Sequence, residues 1–121
     1  MSCRIPTKIG CGRMEMKILE GLRERTVKNF IDLLVLTELN NGHTMSGHDV
    51  VTTIHNNFHI RISPGTVYSV IYSLERNGLI EGIWNSRKRV YLLTDKGKET
   101  IKTTQKVYEK IQILVAQLFS A

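Results

Sequence analysis

Ser63-Pro64-Gly65-Thr66-Val67-Tyr68-Ser69-Val70-Ile71-Tyr72-Ser73-Leu74-Glu75-Arg76-Asn77-Gly78-Leu79-Ile80 has the pattern of a capped, two-faced helix followed by a tight turn. Ser63 suits a helix N-cap, because its hydroxyl accepts an N–H that the first turn leaves without a partner. Pro64 suits the first helical position, where the N–H it lacks would have gone unpaired. Projected at about 100° per residue, Val67, Val70, Ile71 and Leu74 share one arc of about 100°, a face to bury. The opposite side carries Gly65, Ser69, Tyr72 and Arg76, flanked by Tyr68 and Ser73, so it is small and rich in hydroxyls. Asn77-Gly78 supplies the stop.

Downstream, Ile80 to Trp84 and Arg89 to Leu93 are β-prone segments joined by the polar four-residue loop Asn85-Ser86-Arg87-Lys88. The spacing predicts a hairpin with Arg87, Lys88 and Arg89 at or beside its tip, and a packing role for Trp84. Thr94 is placed to cap a single final helix running from Asp95 to about Phe119. Along it Ile101, Thr104, Tyr108, Ile111, Val115 and Leu118 step by threes and fours in a heptad seam, widened by Val107, Leu114 and Phe119. A stripe of that width should pack on its own domain and on a second copy, which makes these six residues the expected dimer interface.

Upstream, Val27, Phe30, Ile31 and Leu34, with Leu33, Leu36 and Leu39, give a helix from about Val27 to Asn40 with a broad buried face. Met14, Ile18, Leu19 and Leu22 also keep helical spacing, as a separate short helix or as the lead-in to the next one. Ser46 and Asp49 resemble a capping box, and Val50, Val51, Ile54 and Phe58 form the stripe of the helix that follows. Residues 1–25 read as an N-terminal arm, partly helical, with Pro6, Gly10 and Gly12 early in it. Residues 26–94 read as the binding domain and 95–121 as the dimerisation helix.

A chain of 121 residues is one domain by size. Its formal charge of +6 is unevenly spread. Residues 26–60 carry one base, Lys28, against Asp32, Glu38 and Asp49, whereas residues 61–98 carry seven bases against three acids. Positive charge therefore gathers on the helix and hairpin, which suits a phosphate backbone. No apolar run approaches a membrane span, no signal-peptide core opens the chain, and Cys3 and Cys11 in the leader would brace no core, so the chain reads as cytoplasmic.

Catalytic chemistry finds nothing to build on: there is no phosphate loop, no nucleophile–base motif and no carboxylate pair. His43, His48, His55 and His59 lack the converging ligands of a metal site and read as solvent-exposed. The expectation is thus no enzyme, no metal and no cofactor. The fold class is mainly α with a small β-hairpin, a winged helix-turn-helix plus a C-terminal helix. A slim hydroxylated helix face fits a groove about 12 Å wide. The expected contacts with double-stranded DNA are Lys28, Arg61, Ser63, Thr66, Tyr68, Ser69, Tyr72, Arg76, Arg87, Lys88 and Arg89. Ser69 is the best candidate for reading a base. The competing reading is a winged-helix protein-interaction module without sequence-specific DNA binding, against which the basic hairpin and the hydroxyl-rich helix start both count.

Four segments resemble the PadR family of transcriptional regulators in order and spacing. They are Ser46-Gly47-His48-Asp49-Val50, Ser63-Pro64-Gly65-Thr66-Val67-Tyr68, Leu74 to Ile80, and Arg89-Val90-Tyr91-Leu92-Leu93-Thr94-Asp95-Lys96-Gly97-Lys98. The match spans roughly residues 27–100. The resemblance implies a repressor of the compact branch with a single C-terminal helix, a homodimer on a pseudo-palindromic site. It implies that Ser63, Thr66, Tyr68, Ser69 and Tyr72 face DNA and that the wing bases contact the backbone. His48 stands where the family usually has Tyr. Small-molecule effectors are common in the family, but the last helix offers Tyr108 and Phe119 and no tryptophan, so a ligand pocket is unsupported.

Overall fold

In the computed structural model, which describes residues 12–120, the chain runs through six helices and one hairpin. These are α1 (Arg13–Asn29), α2 (Ile31–Asn40), α3 (Gly47–Phe58), α4 (Pro64–Arg76), β1 (Ile80–Asn85), β2 (Lys88–Leu93), α5 (Asp95–Lys106) and α6 (Tyr108–Phe119). Residues 1–11 of the expected arm, with Cys3 and Cys11, lie outside the described residues. Two compact units divide the chain, one ending at Phe30 and the other beginning at Ile31.

The helix expected from Val27 to Asn40 is in fact two. The N–H of Phe30 is shared between the carbonyls of Thr26 and Val27, which tightens the last turn of α1 and ends it. Asp32 then accepts the N–H of Leu33 at 2.8 Å, satisfying a donor in the first turn of α2. Because the helix restarts, its phase restarts as well. Ile31, Val35, Leu36 and Leu39 are the buried set, while Leu33 and Leu34 are half-buried and Phe30 is exposed. Within the first unit α1 buries no residue, and Lys28 Nζ meets Glu24 Oε1 at 3.0 Å on its last turns.

In the second unit α2, α3 and α4 close on one apolar core. Val50 and Ile54 of α3 and Val67, Ile71 and Leu74 of α4 are buried, with Val70 half-buried. Full burial of side chains of this size contributes about 1.5–3 kcal/mol each. Ser46 Oγ accepts the N–H of Asp49 at 3.1 Å and Asp49 Oδ2 accepts that of Ser46 at 2.9 Å, so the capping box is complete. At the far end of α4, Gly78 (φ 77°) reverses the chain and the N–H of Leu79 bonds the carbonyl of Leu74 at 3.0 Å.

The hairpin pairs Ile80 with Leu93 through to Asn85 with Lys88. Its loop is therefore two residues, Ser86-Arg87, rather than the four expected. Of the two only Ser86 has a positive φ (60°), the pattern of a II′ turn whose twist matches the strands. Tyr91 bonds backbone to backbone with Met45 (N–H to O 2.8 Å), pinning the hairpin to the segment before α3. Thr94 caps α5, accepting the N–H of Gly97 at 3.0 Å. Its own O–H is shared between the carbonyls of Gly78 (2.6 Å) and Leu79 (2.9 Å), fastening α5 to the turn after α4.

The last helix is interrupted at one residue, Val107 (φ −98°, ψ 7°). Thr100 and Thr104 each return their hydroxyl to a carbonyl one turn back, at 2.9 and 2.8 Å, a bond that bends helices. Val107 then shares its N–H between Thr103 and Thr104. The interruption separates the seam into two fates. Ile101 is only 3% exposed, taken up by the unit's own core. No residue of α6 is buried.

Candidate nucleic-acid interface

The outer face of α4 presents Gly65, Thr66, Ser69, Tyr72 and Arg76, all exposed, on the side opposite the core residues Val67, Ile71 and Leu74. At its N-terminus Ser63 Oγ accepts the N–H of Thr66 at 3.3 Å and lies 2.8 Å from Thr66 Oγ1. Each hydroxyl thus holds the other in place at the end of a helix whose dipole favours anions. Arg61 is exposed just ahead of this cap.

Tyr68 sits differently from its neighbours. It is half-buried, and its ring lies against the backbone of Gly47, where an added Cβ would overlap the ring edge at Cε1 and Cζ, with the hydroxyl oxygen 2.7 Å away. The α3 and α4 helices can approach this closely only because residue 47 has no side chain. Tyr72 is half-exposed (51%), with its ring centroid 6.0 Å from that of Tyr68.

Beside α4 the hairpin supplies the charge. Arg87, in the turn, is exposed and has no ion-pair partner among the described residues. Lys88 Nζ is 3.8 Å from Asp49 Oδ2, both side chains about half-exposed. Arg89, expected with these two on the phosphate backbone, has its Nη2 donating to Glu75 Oε2 at 2.6 Å. Its guanidinium lies over the rings of Trp84 (5.7 Å) and Tyr91 (5.8 Å). Trp84, expected in a packing role, is 68% exposed and has the Arg89 guanidinium over its ring. Lys28 lies on α1 in the first unit, paired with Glu24.

Electrostatics follow these contacts. Asp49 is held below the ordinary aspartate range, first by the backbone N–H of Ser46 and further by the Ser46 hydroxyl and the charge of Lys88, against a smaller opposing effect of burial. Burial pushes the Tyr91 phenol up, partly offset by Arg89. Between the start of α3, α4 and the hairpin lies an open cleft of about 390 Å³, with Tyr68, Tyr72, Trp84, Arg87 and the exposed His48 among its walls.

A hydroxylated helix, a hairpin clamped beside its end and a cationic turn share one face of this unit. A family model described as the transcriptional regulator PadR-like family matches residues 35–103, a span that holds both elements. The chain belongs to that family. No curated protein sequence matches it. Among solved structures, this PadR-like chain is similar to a PadR family transcriptional regulator from Eggerthella lenta, at 19% identity over 91% of this chain and 99% of that one, with a TM-score of 0.72. It is similar to a transcriptional regulator from Clostridium thermocellum at 21% identity, 80% and 96% coverage and a TM-score of 0.68. It also resembles F93 from STIV, a winged-helix DNA-binding protein, at 27% identity, 70% and 90% coverage and a TM-score of 0.58. The family is one of transcriptional regulators rather than enzymes, and the fold is the winged helix.

Within this PadR-like unit, the contacts of several residues that shape the site carried no signal in the sequence. Gly47, Glu75, Tyr91 and the second role of Asp49 act through partners far away along the chain. Only the exposure of Trp84 had a legible cue: it alternates with Ile83 on a two-stranded hairpin, which has one face too many to cover.

Proposed function

We propose that this PadR-like regulator is a repressor that occupies duplex DNA as a homodimer on a pseudo-palindromic site. The observation that carries the proposal is the uncovered outer face of α4, small and hydroxylated, with the unpaired Arg87 turn beside it. In this reading α4 enters the major groove with Thr66, Ser69 and Tyr72 toward the DNA, Ser69 nearest a base edge. Ser63 and the first-turn N–H groups take a phosphate, and Tyr68 lines the groove wall. Arg61, Arg76, Arg87 and Lys88 take backbone phosphates, and Lys28 a flanking one. Arg89 contributes by holding the hairpin, with its charge shared with Glu75.

The dimer rests on α6. Tyr108, Ile111, Leu114, Val115, Leu118 and Phe119 are exposed in the single chain, and a helix so apolar and so bare gains by packing on its own copy. Residues 26–94 then do the binding and 95–121 the pairing, Thr104 lying at the edge of the interface. Two α4 helices related by a two-fold axis would stand about 34 Å apart, one turn of B-DNA. None of the described helices is long and apolar enough to cross a membrane, and the repressor acts in the cytoplasm.

Selection of bound duplexes from a random pool tests this. The expected result is an inverted repeat with half-sites about one helical turn apart. A single unsymmetric site would overturn the dimer reading. Failure to retard any duplex at low salt would overturn the DNA reading and favour a protein-interaction module.

A further inference from the structure

We propose that Trp84 is a DNA contact in its own right, an apolar plate that lies against the deoxyribose edge of the minor groove beside the recognition helix. The inference rests on the DNA reading above. A tryptophan that is 68% exposed forgoes most of the stabilisation its burial would give, which is an unusual use of the largest apolar side chain. It is nevertheless held in place. Trp84 pairs across the hairpin with Arg89, so the two side chains stand on one face, and the guanidinium lies over the indole at 5.7 Å.

Arg89 is fixed from three further sides. Glu75, at the end of α4, accepts its Nη2 at 2.6 Å, and Tyr91 lies along it at 5.8 Å. Gly82 leaves the strand surface open beneath it, since a Cβ there would stand 2.5 Å from Nη2. The chain from Glu75 through Arg89 to Trp84 therefore couples the position of the indole to the recognition helix. An exposed aromatic stacked on an anchored guanidinium next to a cationic turn has the properties of the apolar residues that minor-groove proteins press against sugars and base steps. The cation that would ordinarily compete for phosphate, Arg89, is occupied in holding it.

The protein contains a single tryptophan, so its emission, excited where tyrosine does not absorb, reports this residue alone. Binding is followed separately by the anisotropy of a labelled duplex. The expected result is that duplex binding shifts Trp84 emission and shields it from acrylamide. Binding with unchanged emission and unchanged acrylamide quenching would overturn the inference and leave the DNA reading standing. No binding at low salt would remove both. Shielding that rises with protein concentration alone, without DNA, would assign Trp84 to a protein interface and overturn it too.

Variants give the second arm. Trp84→Ala should weaken duplex binding about tenfold, the scale of one aromatic contact to a nucleotide, and Trp84→Phe should weaken it less. The slope of log K against log salt should not change, because no charge is lost, whereas Arg87→Ala should flatten it by about 0.9. Equal affinity for Trp84→Ala and wild type would overturn the inference. Glu75 acts as a positioning residue: Glu75→Gln should raise acrylamide quenching in the free protein and weaken binding despite the acid removed. A tighter complex with a steeper salt slope would show that Glu75 only restrains Arg89 from phosphate, and would overturn that role.

Discussion

Replacing Gly47 by Ala sets a helix-favouring change against a steric one, and the structure decides which prevails. At the first position of α3, Ala is favoured over Gly by roughly 0.5–1 kcal/mol, because Gly loses more backbone freedom on folding. The new Cβ, however, would overlap the Tyr68 ring edge at Cε1 and Cζ, with the hydroxyl oxygen at 2.7 Å where ordinary contact begins near 3.4 Å. An aromatic ring cannot yield by bending. Either α3 and α4 part or Tyr68 swings out of its half-buried seat, and overpacking of this kind costs about 1–3 kcal/mol. Gly47→Ala should therefore destabilise by a net 1–2 kcal/mol, roughly 4–8 °C in melting temperature for a chain of this size. In a Tyr68→Ala background the obstruction is gone, and the same substitution should be neutral to stabilising. The assay is a double-mutant cycle by thermal and urea denaturation, followed by circular dichroism. An equal loss in both backgrounds would show that Tyr68 is not the obstruction, and no loss in either would show that there is none. A swung-out Tyr68 would also crowd the outer face of α4, so Gly47→Ala should weaken duplex binding more than its stability loss explains.

Asp49→Ala removes the acidic half of the α3 capping box and should cost about 1 kcal/mol at neutral pH. Since the folded protein holds the Asp49 carboxyl below its ordinary 3.8, the carboxylate's contribution is complete above that value and is lost as the pH falls through the lowered one. The gap between wild type and variant should therefore narrow in acid; a gap constant with pH would show that the charge is not involved. Leu118→Asp, on the bare face of α6, should turn a dimer into a monomer in sedimentation and reduce operator affinity about a hundredfold by loss of the second half-site. A wild-type protein that sediments as a monomer would refute it. Ile101→Ala should instead lower the melting temperature, at about 2–5 kcal/mol for a buried Ile, with the dimer intact if folding survives.

Much of this protein is written in its local sequence. The Ser46–Asp49 box, the Ser63-Pro64 start and Gly78 stop of α4, and the split between its buried and outer faces depend on interactions within about four residues, so the order of residue types suffices to state them. The two breaks, at Phe30 and Val107, were hidden because apolar spacing continues through them, while competition for backbone N–H groups interrupts the helix. Which distant groups meet depends on the folded chain: Gly47 against Tyr68, Met45 on Tyr91, and Glu75 on Arg89 beneath Trp84. Those meetings fix how the hairpin stands beside α4, and they arise from the docking of whole elements on a shared core. A periodicity names the face that must be buried, but the partner that buries it is selected by the fit of all the helices at once.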